Sequence, residues 1–115
     1  MLTLDPGKVC RIVARARALD TGRPENFPED RARRELLEII RTLNEREQVE
    51  LVALCWVGRR TYAPEEWEEA LSEARAAHSE RTAEYLAGLP LLADCLEGGL
   101  ARFGQGCSGF EDGNL

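Results

Sequence analysis

The side chains that could bind a metal or act as a nucleophile are few and widely spaced. The chain has four cysteines, at positions 10, 55, 95 and 107, and His78 is its single histidine. A structural zinc site needs four Cys or His ligands, usually at short spacings. A Cys–His nucleophile pair needs the fold to bring His78 to a cysteine. The spacing favours neither site, so we predict no metal, no cofactor and no catalytic residue.

The cysteines instead fit the pattern of small apolar side chains. Cys10, Cys55 and Cys95 all lie within apolar stretches of the sequence, where a free thiol behaves as a small hydrophobic group. A domain with a sizeable helical core in a reducing compartment does not need disulfides. We therefore expect reduced, structural thiols.

Loops that bind calcium or phosphate are also missing from the sequence. The segment GRRTYAPEE has two arginines where a helix–loop–helix calcium site needs carboxylates. Neither GxxxxGK[ST] nor GxGxxG occurs in the chain. The standard phosphate-binding loops are therefore excluded.

Glu65, Glu69 and Glu73 recur at every fourth position and should form one column on a helix. Like charges at this spacing destabilise a helix by about 0.2–0.5 kcal/mol per pair. Two interpretations stay open: a solvated face that keeps the protein in solution, or a docking surface where complementary charge speeds association with a basic partner. General acid–base catalysis needs carboxylates that converge in a cleft, which an exposed helix face does not provide.

Arg59 and Arg60 follow the uncharged run LVALCWVG of residues 51–58. Cations are favoured near a helix C-terminus, so capping and ion pairing are one role for them. Recognition of an anion, or of a partner's carboxylates, is the other. Together with Trp56, Tyr62 and Trp67, Arg59 could also line a ligand pocket, which would make the protein a small enzyme or ligand-binding protein.

Length and charge narrow the function classes further. The chain has 115 residues, 43% of them apolar and 31% charged, which is typical of one globular domain. No apolar run reaches the roughly 20 residues of a membrane span, and the N-terminus lacks the apolar stretch of a secretory signal. We therefore predict a cytoplasmic protein that does not enter membranes.

The net charge of −6 is unevenly distributed along the chain. Residues 1–46 hold ten basic and eight acidic residues, whereas residues 47–115 hold five and thirteen. Lys8, Arg11 and Arg15 line one side of the first predicted helix. Because nucleic-acid binding needs a positive surface, we expect these cations to pair with the acidic second half, within one chain or across a homodimer.

Helical periodicity predicts the elements that would position these residues. No stretch alternates apolar and polar residues in the manner of a strand. Asn44 and Glu47 have the spacing of a capping box. Apolar stripes and caps predict an all-α, compact single-domain bundle of five or six helices around a buried central helix, at about Pro6–Leu19, Glu29–Leu43, Glu45–Val57, Pro64–Ser79, Arg81–Ala87 and Pro90–Phe103.

The central helix contains the uncharged run LVALCWVG, residues 51–58, which predicts burial on every side. We expect Trp56 to anchor the core and Gly58 to end the helix in a left-handed conformation. Gly99 lies on the apolar stripe of the last helix and allows either a close helix approach or a kink. The domain should span residues 1–115, with a mobile loop at 20–28 and an irregular Gly-rich tail at 104–115.

Four segments, KVCRIVARARALD, LVALCWVGRR, EEWEEAL and RTAEYLAGLPLLADCLEGGL, carry a family resemblance. They resemble a group of small, uncharacterised, mostly proteobacterial proteins classed as a domain of unknown function, which share LVAL-x-W-x-GRG and PLL-x-DYLEEGL motifs. Arg60, Cys95 and Gly98 stand where Gly, an aromatic residue and Glu are usual. The resemblance implies a bacterial origin and supports the helical fold, and it implies no activity, substrate or catalytic residue.

These observations favour a non-enzymatic protein-interaction or regulatory module over a small enzyme. Its partner would be another protein or a second copy of the chain. The residues expected at the interaction surface are Glu65, Glu69, Glu73, Arg59 and Arg60.

Overall fold

The computed structural model describes residues 3–20 and 29–107, with side chains described for residues 3–18 and 33–107. This part of the chain forms a 3-10 turn at Pro64–Glu66 and six α-helices: α1 (Pro6–Asp20), α2 (Glu29–Arg41), α3 (Glu45–Gly58), α4 (Trp67–Ala77), α5 (Thr82–Ala87) and α6 (Leu92–Arg102). It contains no β-strand. The all-α prediction is confirmed. Of the predicted loop and tail, residues 21–28 and 108–115 lie outside the described residues.

Local hydrogen bonds explain where the helices begin. Asn44 Oδ1 accepts from the Glu47 N–H at 2.8 Å, and Glu47 Oε1 accepts from the Asn44 N–H at 3.0 Å, so the predicted capping box is present. Asp5 Oδ1 accepts from the Gly7 N–H at 3.0 Å, at the first turn of α1. These side chains satisfy N–H groups that have no partner inside a helix.

The central helix α3 contacts α4, α5 and α6, and α1 packs on α6 and α2. Residues 49–55 and Val57 of α3 are buried. Burial includes Glu50, whose carboxylate accepts from the N–H groups of Thr3 and Leu4 at 2.9 and 2.8 Å and from the Thr3 hydroxyl. A buried carboxylate is tolerated because these donors replace water, and the N-terminal segment is thereby held against α3.

Glycines allow α3 and α6 to cross at backbone contact. A Cβ on Gly58 would lie 1.8 Å from the Cys95 carbonyl oxygen, and a Cβ on Gly99 would lie 2.4 Å from the Leu54 carbonyl oxygen. The close approach predicted at Gly99 is confirmed, and α6 continues through it. The left-handed stop predicted at Gly58 is wrong, because the positive φ of 68° falls two residues later, at Arg60.

The two tryptophans differ in burial. Trp56 is only partly buried, so the predicted burial of residues 51–58 on every side is wrong at this position. Trp67 is buried instead, with 3% of its surface exposed and its ring edge-on to Phe103 at a centroid distance of 5.1 Å. The side of α3 that carries Trp56 faces a cleft rather than a neighbouring helix.

A disulfide joins Cys10 of α1 to Cys107, beyond the end of α6, with a Cα–Cα distance of 5.5 Å. The expectation of four reduced thiols is therefore wrong for this pair. The two cysteines are 97 positions apart, and they meet because α1 packs along α6. Cys55 and Cys95 are free and buried, and burial together with the neighbouring Cys95 thiol raises the pKa of Cys55 to about 12.

Candidate functional site

A cleft of about 300 Å³ opens between α3, α4 and α5. Short side chains on α4 leave this space, because Ala74 and Ala77 stand where larger residues would fill it. Most of the wall is apolar, and the polar groups collect where α4 passes into α5. The lining residues are Val52, Trp56, Ala74, Ala77, His78, Ser79, Arg81, Thr82 and Tyr85.

Three aromatic rings form a connected group at this cleft. Trp56 Nε1 donates to the Tyr85 hydroxyl oxygen at 3.2 Å, which holds the two side chains together. On its other side, the Trp56 ring stacks on Tyr62, with centroids 5.9 Å apart and planes 29° apart. Tyr85 is 43% exposed, so an aromatic surface remains accessible to a ligand or partner.

The polar end of the cleft is rich in hydrogen-bond donors. The Ser79 N–H donates to Thr82 Oγ1 at 3.0 Å, and the Arg81 N–H donates to Ser79 Oγ at 3.0 Å. Both hydroxyl oxygens therefore already accept a backbone proton and keep their own proton to donate. His78 is half-buried, as expected, with Nε2 2.9 Å from Gln48 Oε1. The Arg81 guanidinium forms no ion pair within 4 Å in the described part of the chain, although its charge attracts the Glu84 carboxylate and contributes to lowering the pKa of Glu84.

The carboxylates of α4 lie on the far side of the aromatic group. Desolvation raises the pKa of Tyr62, and the nearby charges of Glu73, Glu69 and Glu66 raise it further. Glu65 and Glu66 both belong to the 3-10 turn that precedes α4. Glu66 is the one of the two whose charge acts on Tyr62, together with those of Glu69 and Glu73.

We call Trp56, Tyr62, Glu66, Glu69 and Glu73 the acidic–aromatic face. Its three glutamates are exposed. None of them has a cationic partner within 4 Å among residues 3–18 and 33–107. Their charge is therefore available to a molecule that approaches from outside.

The remaining predicted site residues lie apart from the cleft lining. Arg59 and Arg60 are exposed after α3, where the Arg59 N–H donates to the Cys55 carbonyl and caps the helix. Trp67, the first residue of α4, is buried in the core. Of the four residues proposed for a pocket, Trp56 lines the cleft, Tyr62 touches it through ring stacking, and Arg59 and Trp67 are not part of its lining.

Three residues of the cleft were predicted only as part of a helix and not as site residues: Arg81, Thr82 and Tyr85. A partial signal exists, because a serine three residues before a threonine is typical of a helix start, and Tyr85 follows Thr82 at helical spacing. No local pattern indicates that α5 folds back beside Trp56.

The side chains that line the cleft are mostly apolar, with polar groups at one end. The lining contains no carboxylate and no thiol, and its one imidazole is held by Gln48. Among the described residues, no three His, Cys, Asp or Glu side chains lie close enough together to hold a metal ion. Apolar contact and hydrogen-bond donation are the interactions that this cleft can supply.

Comparisons with known proteins identify the chain's family. No helix in the described segments is long and apolar enough to cross a membrane. A search of curated proteins and a search of solved structures each find no match. The family model for DUF3775, protein of unknown function, matches residues 33–105, from α2 to just beyond α6. The chain therefore belongs to the DUF3775 family.

Proposed function

We propose that the chain is a non-enzymatic protein-interaction or regulatory module that docks a basic segment of a partner on the acidic–aromatic face. The observation that carries the proposal is the set of exposed carboxylates on α4 that lack cationic partners among the described residues. Complementary charge steers association, and the partly exposed rings of Trp56 and Tyr62 beside it supply contact area. Arg59 and Arg60 stand at the edge of this surface and would meet carboxylates of the partner.

In a homodimer, the basic side of α1 in one copy would contact the acidic–aromatic face of the other, but this pairing is the weaker candidate. Lys8 pairs with Glu47 at 2.7 Å, and Arg15 pairs with Glu35 at 3.1 Å. Both cations already have partners within the same chain, which leaves Arg11 as the cation of that side for a second copy. We therefore favour a different basic protein over self-association, and with a net charge of −6 we do not favour nucleic acid.

The test compares two charge reversals with the same net change. Glu69→Lys lies within the acidic–aromatic face, whereas Glu38→Lys lies on the exposed surface of α2. Partners captured from the native host should be lost with Glu69→Lys and kept with Glu38→Lys. The association rate of a captured partner with the unmodified chain should fall as salt is added.

Equal loss or equal retention of every captured partner in the two variants would contradict docking at this face. Sedimentation of the unmodified chain tests the homodimer directly. A dimer that dissociates with Glu69→Lys and persists with Glu38→Lys would identify the second copy as the basic partner.

A second candidate function is ligand binding, which the 300 Å³ cleft favours. Pockets for small molecules are mostly apolar, carry a few convergent polar groups and have volumes of roughly 300–1,000 Å³. The cleft meets this description at the lower end of the size range.

The cytoplasm stays our proposed location, and the Cys10–Cys107 pair makes it testable. Cytosolic thiols are kept reduced, whereas a lasting disulfide requires an oxidising compartment. Trapping the thiols by rapid alkylation in the native host, followed by mass spectrometry, shows which state the pair occupies. A fully oxidised pair in growing cells would contradict the cytoplasmic proposal.

A further inference from the structure

We propose that the cleft between α3, α4 and α5 is a binding site for a small organic acid with one aromatic or branched apolar group. The apolar group would lie against Trp56 and the alanines of α4. The carboxylate would lie at Arg81. The inference rests on the second candidate function, ligand binding in this cleft, and names the class of ligand. It is separate from the docking function, because the lining shares only Trp56 with the acidic–aromatic face.

The apolar half of the site is already shaped. The indole N–H of Trp56 donates to the Tyr85 hydroxyl, so the two rings are held together and the indole directs no unpaired donor toward the apolar wall. Ala74 and Ala77 form the facing wall on α4. A cleft of about 300 Å³ matches the smallest pockets that bind organic ligands, which suits one ring or one branched chain with its head group.

The polar half of the cleft favours a ligand group that accepts hydrogen bonds over one that donates them. The hydroxyl oxygens of Ser79 and Thr82 each accept a backbone N–H, and their protons are available for a ligand oxygen. Thr82 is buried, with 6% of its surface exposed, so a ligand oxygen would satisfy a group that bulk water reaches poorly. The Arg81 guanidinium adds a positive charge and a planar pair of donors that fits a carboxylate.

The acidic residues near this end, Glu45, Glu80 and Glu84, do not line the cleft. Glu84 pairs with Arg41 and also interacts electrostatically with Arg81. Glu45 lies 3.8 Å from His78 Nδ1. Glu80 is exposed and is not part of the lining. The guanidinium is therefore the charge that a ligand inside the cleft meets first.

The experiment uses three probes of similar shape and different charge: 3-phenylpropionate, 3-phenylpropanamide and 2-phenylethylamine. Titration calorimetry on the full chain should show saturable binding of the carboxylate, at least about tenfold tighter than that of the amide or the amine, since charge-assisted hydrogen bonds are about twice as strong as neutral ones. Trp56 lines the cleft and Trp67 is buried elsewhere, so a fluorescence change on binding should disappear in Trp56→Phe.

Two variants locate the site, and one matched variant controls for charge. Arg81→Gln should remove the preference for the carboxylate and leave the weak binding of the amide unchanged. Ala77→Leu, at an exposed position at the end of α4, should fill the cleft and abolish binding while the thermal midpoint stays unchanged. Arg75→Gln is the control for the loss of one positive charge. Arg75 lies on α4 outside the cleft lining, so this variant should bind the carboxylate as the unmodified chain does.

Several outcomes would overturn the proposal. The amine or the amide binding as tightly as the carboxylate would show that the polar end does not select an acid. Unchanged carboxylate binding in Ala77→Leu would place the probe elsewhere. Absence of saturable binding for all three probes in the millimolar range would show that the cleft takes no ligand of this class.

Discussion

Helices α1 and α4 both carry strong charge, and they use it differently. Three of the four cations of α1 are paired with acidic residues of other helices: Lys8 with Glu47, Arg15 with Glu35, and Arg17 with Asp94 and Glu97. The carboxylates on the outer face of α4 have no such pairs among the described residues. Charges on α1 therefore hold elements of the fold together, whereas charges on α4 are left for solvent or for a partner.

The same contrast holds for covalent attachment. Cys10 ties α1 to the segment after α6. Helix α4 is held by its buried side, through Trp67, Ala70 and Ala74. The difference indicates that α1 is part of the stable framework and that the outer face of α4 can change its charge without loss of the fold.

The largest effect should come from removing the bridge. The double variant Cys10→Ser, Cys107→Ser opens a loop closed across 97 positions, and chain entropy predicts a loss of about 4 to 5 kcal/mol in the free energy of unfolding. Urea unfolding with and without reductant measures this. Reductant should lower the stability of the unmodified chain to that of the variant and have no further effect on the variant. Equal stability of the oxidised chain and the variant would show that the disulfide does not stabilise the attachment of α1.

The next largest effect concerns how α4 is held. Trp67→Ala should cost about 3 to 5 kcal/mol, the usual loss for a buried aromatic side chain. Trp56→Ala is the matched control and should cost about 1 to 2 kcal/mol, because its partly exposed ring buries less apolar surface. Thermal or urea unfolding compares the two. A larger loss for Trp56→Ala would show that the cleft side of α3, not the inner side of α4, anchors the core.

A smaller, pH-dependent effect should mark the contact between α1 and α3. The hydrogen bond from Lys8, and then the Asn44 N–H, hold the pKa of Glu47 below its ordinary value of 4.5. A carboxyl group with a lowered pKa in the folded state stabilises the fold above its unfolded pKa. That contribution is lost as the pH falls through the folded pKa.

Glu47→Gln should therefore cost about 1 kcal/mol or less at neutral pH, the scale of a helix cap and a partly exposed ion pair. The difference from the unmodified chain should shrink as the pH falls below about 4.5. Unfolding by urea across this pH range measures it. A difference independent of pH would assign the effect to the amide side chain rather than to the charge.

The smallest effects should come from single charges on α1 and α4, and they test directly whether each helix uses its charge to stabilise the fold. Arg17→Gln should lower the free energy of unfolding by about 0.5 to 1 kcal/mol, because it removes exposed ion pairs to α6. Glu69→Gln should raise it by a few tenths of a kcal/mol, since it relieves repulsion with Glu73 four residues on. Parallel urea titrations at low salt give both values. Destabilisation by Glu69→Gln would mean that α4 also uses its carboxylates for the fold.

The helices were predictable because the signals that specify them are local. A stripe of apolar residues at helical spacing and a capping pair such as Asn44 and Glu47 act within a few residues of one another. The exposed state of Glu69 and Glu73 followed from the same periodicity. The start of α4 was less predictable, because the predicted first turn at Pro64–Glu66 is a 3-10 turn and α4 begins at Trp67.

The sequence by itself determined the all-α class, the helix order and the acidic outer face of α4, because each depends on residues within about two turns of one helix. Only the tertiary structure decided that Trp56 stays partly exposed and that Cys10 meets Cys107. It also decided that Arg81, Thr82 and Tyr85 complete a cleft with Trp56. Those outcomes depend on which helices pack together, and the packing joins residues that no local pattern relates.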